Sequence, residues 1–298
     1  MLRLFSYLWS QGVATQKTLF PDLAEGVRGM PMITEEACAG GCNACADVCP
    51  TDAIKVFKFD DKGGITLDLG SCINCGLCVD VCPTKTLINN PTTKVAVKER
   101  SALILTNIKA DNQEGQAELG KIKAALPSAS FGPRDPSKDF AWFNRSVAAR
   151  VVSTGCSACD MELGAAGNPV FDLERFGVHI VASPRFADAL VVTGPVPKGM
   201  HAALTSCYQA MSSPRVVVAL GTCAISGGVH RGGYADTNGV DHILPVDVYI
   251  PGCPPHPWMI IHGMQVAMGR QQSARPGLRV TDKATADTVA ETNSETNF

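Results

Sequence analysis

The cysteines are the residues of this 298-residue chain whose number and spacing point most directly to chemistry. There are thirteen, and one run has the spacing C-x2-C-x2-C-x3-C-P. Its members are Cys72, Cys75, Cys78, Cys82 and Pro83. Thiolates at this spacing hold iron–sulfur clusters, whereas a single tetrahedral zinc ion is normally bound by two separated pairs. The run therefore predicts a [4Fe–4S] site.

The same pattern occurs earlier in the chain as an internal repeat. Its members Cys42, Cys45, Cys49 and Pro50 lie 33 positions before Cys75, Cys78, Cys82 and Pro83 (75 − 42 = 33). Only the first ligand departs from the repeat, because Cys38 precedes Cys42 by four residues instead of three. The additional residue falls in the stretch 39–41, where two glycines give the backbone freedom to absorb it. The repeat predicts a second [4Fe–4S] site.

Two-cluster ferredoxins cross their ligands, since the fourth cysteine of each run binds the other cluster. This rule assigns one cluster to Cys38, Cys42, Cys45 and Cys82, and the second cluster to Cys72, Cys75, Cys78 and Cys49. The alternating segments 54–59 and 65–69 flank residues 60–64, which predicts a hairpin joining the two halves. We therefore expect an α+β, two-cluster ferredoxin-like domain.

Four further cysteines lie in the C-terminal half and are separated in sequence: Cys156, Cys159, Cys223 and Cys253. An apolar stretch that predicts a strand precedes the pair Cys156 and Cys159, and another precedes each of the two remaining cysteines. These predicted strands are 147–152, 216–220 and 246–250. Other apolar runs, at 178–182 and 189–192, alternate with helix-like stretches at 199–211 and 258–268. This βα alternation predicts a parallel, doubly wound (flavodoxin-like) α/β sheet.

In such sheets, ligands collect beyond the carboxyl ends of the strands. The four C-terminal cysteines all follow predicted strand ends, so the topology favours a third [4Fe–4S] cluster over four structural cysteines. Three clusters account for twelve of the thirteen cysteines, which predicts an electron-transfer protein. A zinc-stabilised scaffold is the non-enzymatic alternative.

Several C-terminal motifs resemble the small subunit of membrane-bound, energy-converting nickel–iron hydrogenases, of the formate hydrogenlyase type. They are Ser153–Leu163 (STGCSACDMEL), Ser183–Asp188 (SPRFAD), Val192–Val196 (VTGPV) and Pro251–Pro255 (PGCPP). That family is similar to the 20-kDa subunit of respiratory complex I, which typically carries two adjacent cysteines where this chain has Cys156-x2-Cys159. The spacing favours the hydrogenase branch, and a nickel-free, complex-I-like oxidoreductase that uses quinone or another acceptor is the alternative.

The resemblance implies partners. The third cluster would face the nickel–iron site of a separate large subunit, and integral membrane subunits would complete the complex. The N-terminal part, with Gly12–Thr15, Arg28–Pro31 and the cysteine repeat, resembles the ferredoxin-like subunit of formate hydrogenlyase. The chain is thus similar to a fusion of two subunits, fed by a soluble donor such as ferredoxin, formate dehydrogenase or carbon monoxide dehydrogenase.

We expect five segments in the chain. They are an N-terminal arm at 1–33, the two-cluster domain at 34–90, a linker at 91–139, the hydrogenase-like domain at 140–268 and a disordered polar tail at 269–298. The linker contains a proline-rich stretch at 132–136 and shows little periodicity, apart from a possible short helix near 117–126.

Charge and hydropathy restrict the environment. The net charge of −2 and the pI near 6.3 give no basic footprint for nucleic acid. No stretch reaches 18 consecutive apolar residues, so we expect any membrane association to run through partner subunits. Free thiols without an export signal indicate a reducing compartment. We therefore expect a cytoplasmic location, peripheral on the inner face of the cell membrane.

Three residues have competing interpretations. Cys207 lies outside the three sets and is expected to be a buried structural cysteine. His256 would either tune the third cluster through a hydrogen bond or satisfy local polar groups. Glu162 follows Cys159 by three residues, where it would either stabilise a helix N-terminus or relay protons coupled to electron transfer. The structural interpretation of Glu162 is favoured.

Overall fold

The computed structural model describes residues 2–12, 18–34, 36, 38–39, 41–59, 62–107, 116–117, 120–121, 124 and 142–274. Most of the predicted linker and tail lie outside the described residues. A helix, α1 (Leu2–Gln11), begins the chain and exposes Leu4, Phe5, Tyr7 and Trp9. Among the residues that the model describes, no helix is long and apolar enough to cross a membrane.

The N-terminal half is a pair of small antiparallel sheets with two one-turn helices. In chain order it contains β1 (Met30–Ile33), β2 (Cys38–Ala39), α2 (Ala44–Asp47), β3 (Ile54–Phe59), β4 (Lys62–Asp68), α3 (Leu77–Asp80) and β5 (Leu87–Asn90). Strand β1 pairs with β5, and β4 lies between β2 and β3. Helices α2 and α3 begin at equivalent points of the cysteine repeat, 33 positions apart (77 − 44 = 33). The α+β character that the sequence predicts is therefore present.

The hairpin between the repeats is tighter than the sequence predicts. Strand β4 begins at Lys62, and Gly63 and Gly64 pair with Lys58 and Phe57 instead of forming the turn. Two-residue loops match the twist of antiparallel strands best, so pairing continues almost to the tip. The tip itself, residues 60–61, lies outside the described residues.

The beginning of the predicted linker is ordered and belongs to the N-terminal sheet. A 3₁₀ helix at Arg100–Leu103 leads into β6 (Ile104–Thr106), which pairs with β4. Leu103, Ile104 and Leu105 are buried, and their short apolar run is the signal that the linker interpretation overlooked. This part of the chain therefore departs from the expected linker, and residues 108–115 and 125–141 lie outside the described residues.

The C-terminal half is built on a five-stranded parallel sheet, as predicted. Its elements are β7 (Val147–Ser153), α4 (Ala158–Ala166), β8 (Val178–Ile180), β9 (Ala189–Thr193), α5 (His201–Ala210), β10 (Val216–Leu220), α6 (Thr222–Ser226), β11 (Val248–Ile250) and α7 (Pro257–Ala267). Short 3₁₀ helices lie at Leu173–Phe176, Pro184–Phe186, Lys198–Met200, Gly228–His230 and Val240–His242. The strand order is β11-β10-β9-β7-β8. Every residue of β9 and β10 is buried, as expected for strands covered on both faces.

The two halves pack against each other through a common core. Val97 pairs with Tyr249 on β11, and the amide of Ala96 donates to His262 Nδ1 on α7. Phe20 of the N-terminal arm meets the ring of His262 edge to face, with 5.4 Å between the ring centroids. The N-terminal arm and the start of the predicted linker therefore both contact the C-terminal half.

Candidate iron–sulfur sites

The structure brings together the first predicted set, Cys38, Cys42, Cys45 and Cys82. Cys38 lies on β2, Cys45 lies in α2, and Cys82 follows α3, so the set joins both repeats. Burial raises the pKa of Cys45 to about 11, and the negative charges of Cys38, Cys82 and Cys42 contribute to the rise. Only groups that lie close together influence one another in this way.

The second predicted set is also assembled, from Cys49, Cys72, Cys75 and Cys78. A cavity is lined by all four of these cysteines. Burial raises the pKa of Cys72 to about 12, with smaller contributions from the other three thiols. The pKa of Cys78 is raised to about 11 by burial and by the charges of its set, and also by Cys45, so the two sets adjoin.

The third predicted set meets at the carboxyl end of the parallel sheet. Cys156 follows β7, Cys223 lies in α6 after β10, and Cys253 follows β11. Burial raises the pKa of Cys159 to about 12, followed by the charges of Cys223, Cys253 and Cys156. Cys159 and Cys223 are buried, whereas Cys156 and Cys253 are exposed, so the site has one inner and one outer side.

The donor chemistry of these sets fits iron–sulfur clusters. Each set offers four thiols, which is the complement that a cubane requires, and sulfur is the ligand type that iron–sulfur clusters use. The thiols of each set lie near one another, but within the described residues no three His, Cys, Asp or Glu side chains are close enough together to hold a single metal ion.

Gly221 keeps space free beside the third set. It adopts a φ of +89°, and a Cβ atom there would lie 2.5 Å from the Sγ of Cys159. Gly228 is similarly close, because its Cβ would lie 3.0 Å from the Sγ of Cys223. The backbone thus passes against two of the four sulfur atoms, at positions where a side chain would displace them.

We expect Gly221→Ala to disrupt the third site, because the methyl group would push aside Cys159 and would strain the backbone at positive φ. Iron in the purified chain should fall from about twelve to about eight atoms, the loss of one cubane. Gly164→Ala is the control, since its Cβ would meet nothing within 4 Å on helix α4. Equal iron contents in the two variants would contradict the steric role of Gly221.

Asp160 is a polar residue of this site that the sequence reasoning missed. One carboxylate oxygen accepts a hydrogen bond of 2.5 Å from Ser153 Oγ, and the other accepts one of 2.5 Å from Thr193 Oγ1. Asp160 therefore ties α4, which carries Cys159, to the ends of β7 and β9. Its place directly after the second cysteine of the pair was the available signal.

A hydrogen-bonded junction between the halves was also missed. Thr222, adjacent to Cys223, donates from Oγ1 to the carbonyl oxygen of Cys72 at 2.7 Å. Ser226, one turn further along α6, donates from Oγ to the carbonyl oxygen of Gly70 at 2.9 Å. Neighbours of the second and third sets are thus in direct contact.

The residues with competing interpretations lie as follows. His256 caps α7, with its Nδ1 accepting from the amide of Trp258 at 3.2 Å, which supports a structural role. Burial lowers the pKa of His256, and the charge of Glu162 opposes this shift, so the two side chains lie near each other beside the third set. Glu162 is partly buried within α4, and its proton relay stays a prediction. Cys207 is partly buried on α5, away from the three sets.

A segment of each half is similar to a known protein family. Residues 156–267 match the family of the 20-kDa subunit of NADH ubiquinone oxidoreductase, and residues 37–86 match the 4Fe-4S dicluster domain. The chain is therefore similar to a dicluster domain followed by a 20-kDa-subunit domain. The first match contains all four cysteines of the third set, and the second contains the other eight.

Two curated relatives resemble part of the chain. Formate hydrogenlyase subunit 7 of Escherichia coli is 42% identical over 120 residues, which are 40% of this chain and 47% of the relative. One subunit of the NADH-quinone oxidoreductase of Beutenbergia cavernae is 46% identical over 114 residues, which are 38% of this chain and 61% of the relative. The chain thus spans about half to three-fifths of the relatives it matches. Both relatives are named as subunits of enzymes.

A solved structure, that of the membrane-bound sulfane sulfur reductase, an archaeal respiratory membrane complex, contains a chain that aligns with 27% identity and a TM-score of 0.40. The alignment covers 55% of this chain and 90% of the other.

Proposed function

We propose that this chain is an electron-transfer subunit of a membrane-associated, multisubunit nickel–iron hydrogenase. The observation that supports the proposal is the proximity of the thiols within each of the three predicted sets, the last of which lies in the segment that matches the 20-kDa-subunit family. Bound [4Fe–4S] clusters supply one-electron transfer. The chain provides their ligands, their burial and their relative positions.

The three sets are arranged as a series. The first set, of which Cys45 is a member, adjoins the second through Cys78, and the second adjoins the third through the contact between Cys72 and Thr222. The exposed Cys156 and Cys253 lie on the outer side of the third set, where a partner can approach. We propose that this outer side meets the nickel–iron site of a large subunit, in a reaction that reversibly forms hydrogen from two protons and two electrons.

The remaining features of the proposal follow from this series. Electrons enter the dicluster domain from a soluble low-potential donor, such as ferredoxin, formate dehydrogenase or carbon monoxide dehydrogenase. Integral membrane subunits hold the complex on the cytoplasmic face of the membrane. The apolar side chains that α1 exposes support a docked N-terminal arm. We also propose that the 20-kDa-subunit domain is doubly wound and flavodoxin-like, which its strand order supports.

A nickel-free, complex-I-like oxidoreductase is the second candidate. The 46% identity to a subunit of NADH-quinone oxidoreductase supports it. The spacing of Cys156 and Cys159 supports the hydrogenase instead, because the complex I relatives typically carry adjacent cysteines. The two candidates share the chemistry of this chain and differ in the large subunit.

The test is anaerobic purification of the intact complex through this chain, with assay of nickel and of hydrogen evolution from a reduced low-potential dye. Stoichiometric nickel with activity is the expected result. An iron-rich, nickel-free, inactive complex would favour the complex-I-like candidate. About twelve irons per chain, the number that three cubanes require, would exclude a zinc scaffold.

A further inference from the structure

Two side-chain hydrogen bonds link the two halves at their junction. Two buried hydroxyl groups of helix α6, those of Thr222 and Ser226, are directed at backbone carbonyls of the segment Gly70–Cys72. Thr222 is 1% exposed and Ser226 is 6% exposed. A buried carbonyl group without a hydrogen-bond donor raises the free energy of the folded state, so breaking either of these hydrogen bonds would be destabilising.

Thr222 lies between backbone groups of two predicted cluster sites. Its hydroxyl donates to the carbonyl of Cys72 at 2.7 Å and lies 3.2 Å from the carbonyl of Gly252, the residue before Cys253. The Gly252 carbonyl also accepts from the amide of Thr222 at 2.9 Å, so it keeps a donor without the hydroxyl. The Cys72 carbonyl is the group that depends on the hydroxyl.

The other side of the Gly70–Cys72 segment is fixed as well. Asp68 accepts hydrogen bonds from the amide of Gly70 at 2.9 Å and from the hydroxyl of Ser71 at 2.7 Å. A Cβ on Gly70 would lie 2.5 Å from the guanidinium carbon of Arg100, so the segment has no room to move in that direction. The segment is therefore held between Asp68 and Arg100 on one side and α6 on the other.

We propose that Thr222 and Ser226 are positioning residues that hold the second cluster of the dicluster domain at a fixed separation from the cluster of the 20-kDa-subunit domain. The proposal rests on the proposed function, and it assigns to α6 a role beyond presenting Cys223. Because Cys72 is hydrogen-bonded to Thr222, the residue before Cys223, a shift of the segment would change the separation of the two redox centres. Electron transfer between the two clusters slows as their separation increases, so such a shift would change the rate.

The test uses the full chain in its holo-complex with the double variant Thr222→Val and Ser226→Ala. These changes remove both hydroxyl groups and leave all twelve ligand cysteines in place. We expect iron content to stay at the wild-type level. Magnetic interaction between the reduced second and third clusters, seen as splitting of their electron paramagnetic resonance signals, should weaken, and hydrogen evolution should slow several-fold.

Two further variants separate positioning from general stability. Thr222→Ser keeps the hydroxyl and should restore the wild-type splitting when combined with native Ser226. Thr93→Val is the matched control, because Thr93 is 1% exposed and donates to the carbonyl of Pro21 at 3.1 Å, away from the junction. We expect its splitting to be unchanged. If the double variant loses iron, Thr222→Val alone is measured in its place.

The outcomes distinguish this inference from the proposed function. Full iron content with wild-type splitting in the variant that lacks the hydroxyl would overturn the positioning role. A wild-type complex with all clusters bound and no interaction between the second and third would overturn it as well. A wild-type chain that binds no third cluster would overturn the proposed function itself.

Discussion

Replacing Cys49 with alanine is expected to remove the cluster of the other repeat. Cys49 belongs in sequence to the run that begins at Cys38, yet in the structure it lines one cavity with Cys72, Cys75 and Cys78. The pKa of Cys72 and that of Cys78 are both raised in part by the charge of Cys49. Cys49→Ala and Cys75→Ala should therefore abolish the same spectroscopic signal, although the two cysteines lie in different repeats.

Iron analysis and spectroscopy of the reduced full chain measure this result. Each of the two variants should retain about eight of about twelve irons, because one cubane of three is lost. Cys42→Ala should remove the other N-terminal signal instead. Cys207→Ala is the matched control and should keep all irons, since Cys207 lies on α5 outside the three sets. If Cys49→Ala and Cys42→Ala instead abolished the same signal, each repeat would bind its own cluster and the ligands would not be crossed.

The cysteine sets could be predicted from the sequence because of the spacing of the cysteines and their positions after predicted strands. The repeat of 33 residues identifies the eight N-terminal cysteines, and the crossing of ligands in two-cluster ferredoxins divides them into two sets. A parallel sheet places the residues that follow its strands at one edge. The strand Val216–Leu220 was predicted to the residue for the same reason, because its apolar run is bounded by Arg215 and Gly221.

The junction could not be predicted, because it depends on contacts distant in sequence. Thr222 and Cys72 are separated by 150 positions, and no periodicity links them. Strand β6, which lies within the predicted linker, was overlooked for a related reason. Its short apolar run is a signal that does not by itself distinguish a strand from a helix, and the strand is stabilised by pairing with β4. Short edge strands take their conformation from the partner strand.

Breaking the ion pair of Arg100 and Asp68 is expected to have the largest effect on stability. The two side chains are 7% and 20% exposed and are joined by two hydrogen bonds of 2.7 and 2.6 Å. Burial alone would raise the pKa of Asp68, but the hydrogen bonds and charge of Arg100 outweigh it and lower the pKa. Asp241 of the C-terminal half also lies near Arg100, whose charge opposes the rise that burial causes in the pKa of Asp241.

Arg100→Leu would leave the Asp68 carboxylate buried without its counter-charge. Removing one partner of a buried pair typically costs about 3 to 5 kcal/mol. We expect a loss of that order in the free energy of unfolding at neutral pH, measured by anaerobic denaturant titration. Arg175→Leu is the control, because Arg175 and Asp172 are 60% and 46% exposed and 3.9 Å apart. Exposed pairs contribute about 0 to 1 kcal/mol.

The pH dependence gives the second measurement of the same pair. In the wild type the lowered pKa of Asp68 means that the pair stabilises the fold above the unfolded value of 3.8, and this contribution is lost as the pH falls through the folded pKa. In Arg100→Leu, only the hydrogen bonds from Ser71 and the amide of Gly70 still oppose burial, so the pKa of Asp68 is higher than in the wild type and the carboxyl group becomes neutral at a higher pH. The stability difference between wild type and variant should therefore shrink on acidification from neutral pH. If the free energies of unfolding of wild type and Arg100→Leu differed only slightly and by the same amount at every pH, the pair would contribute no more than an exposed ion pair. That result would contradict the support that we infer for the Gly70–Cys72 segment from Asp68 and Arg100.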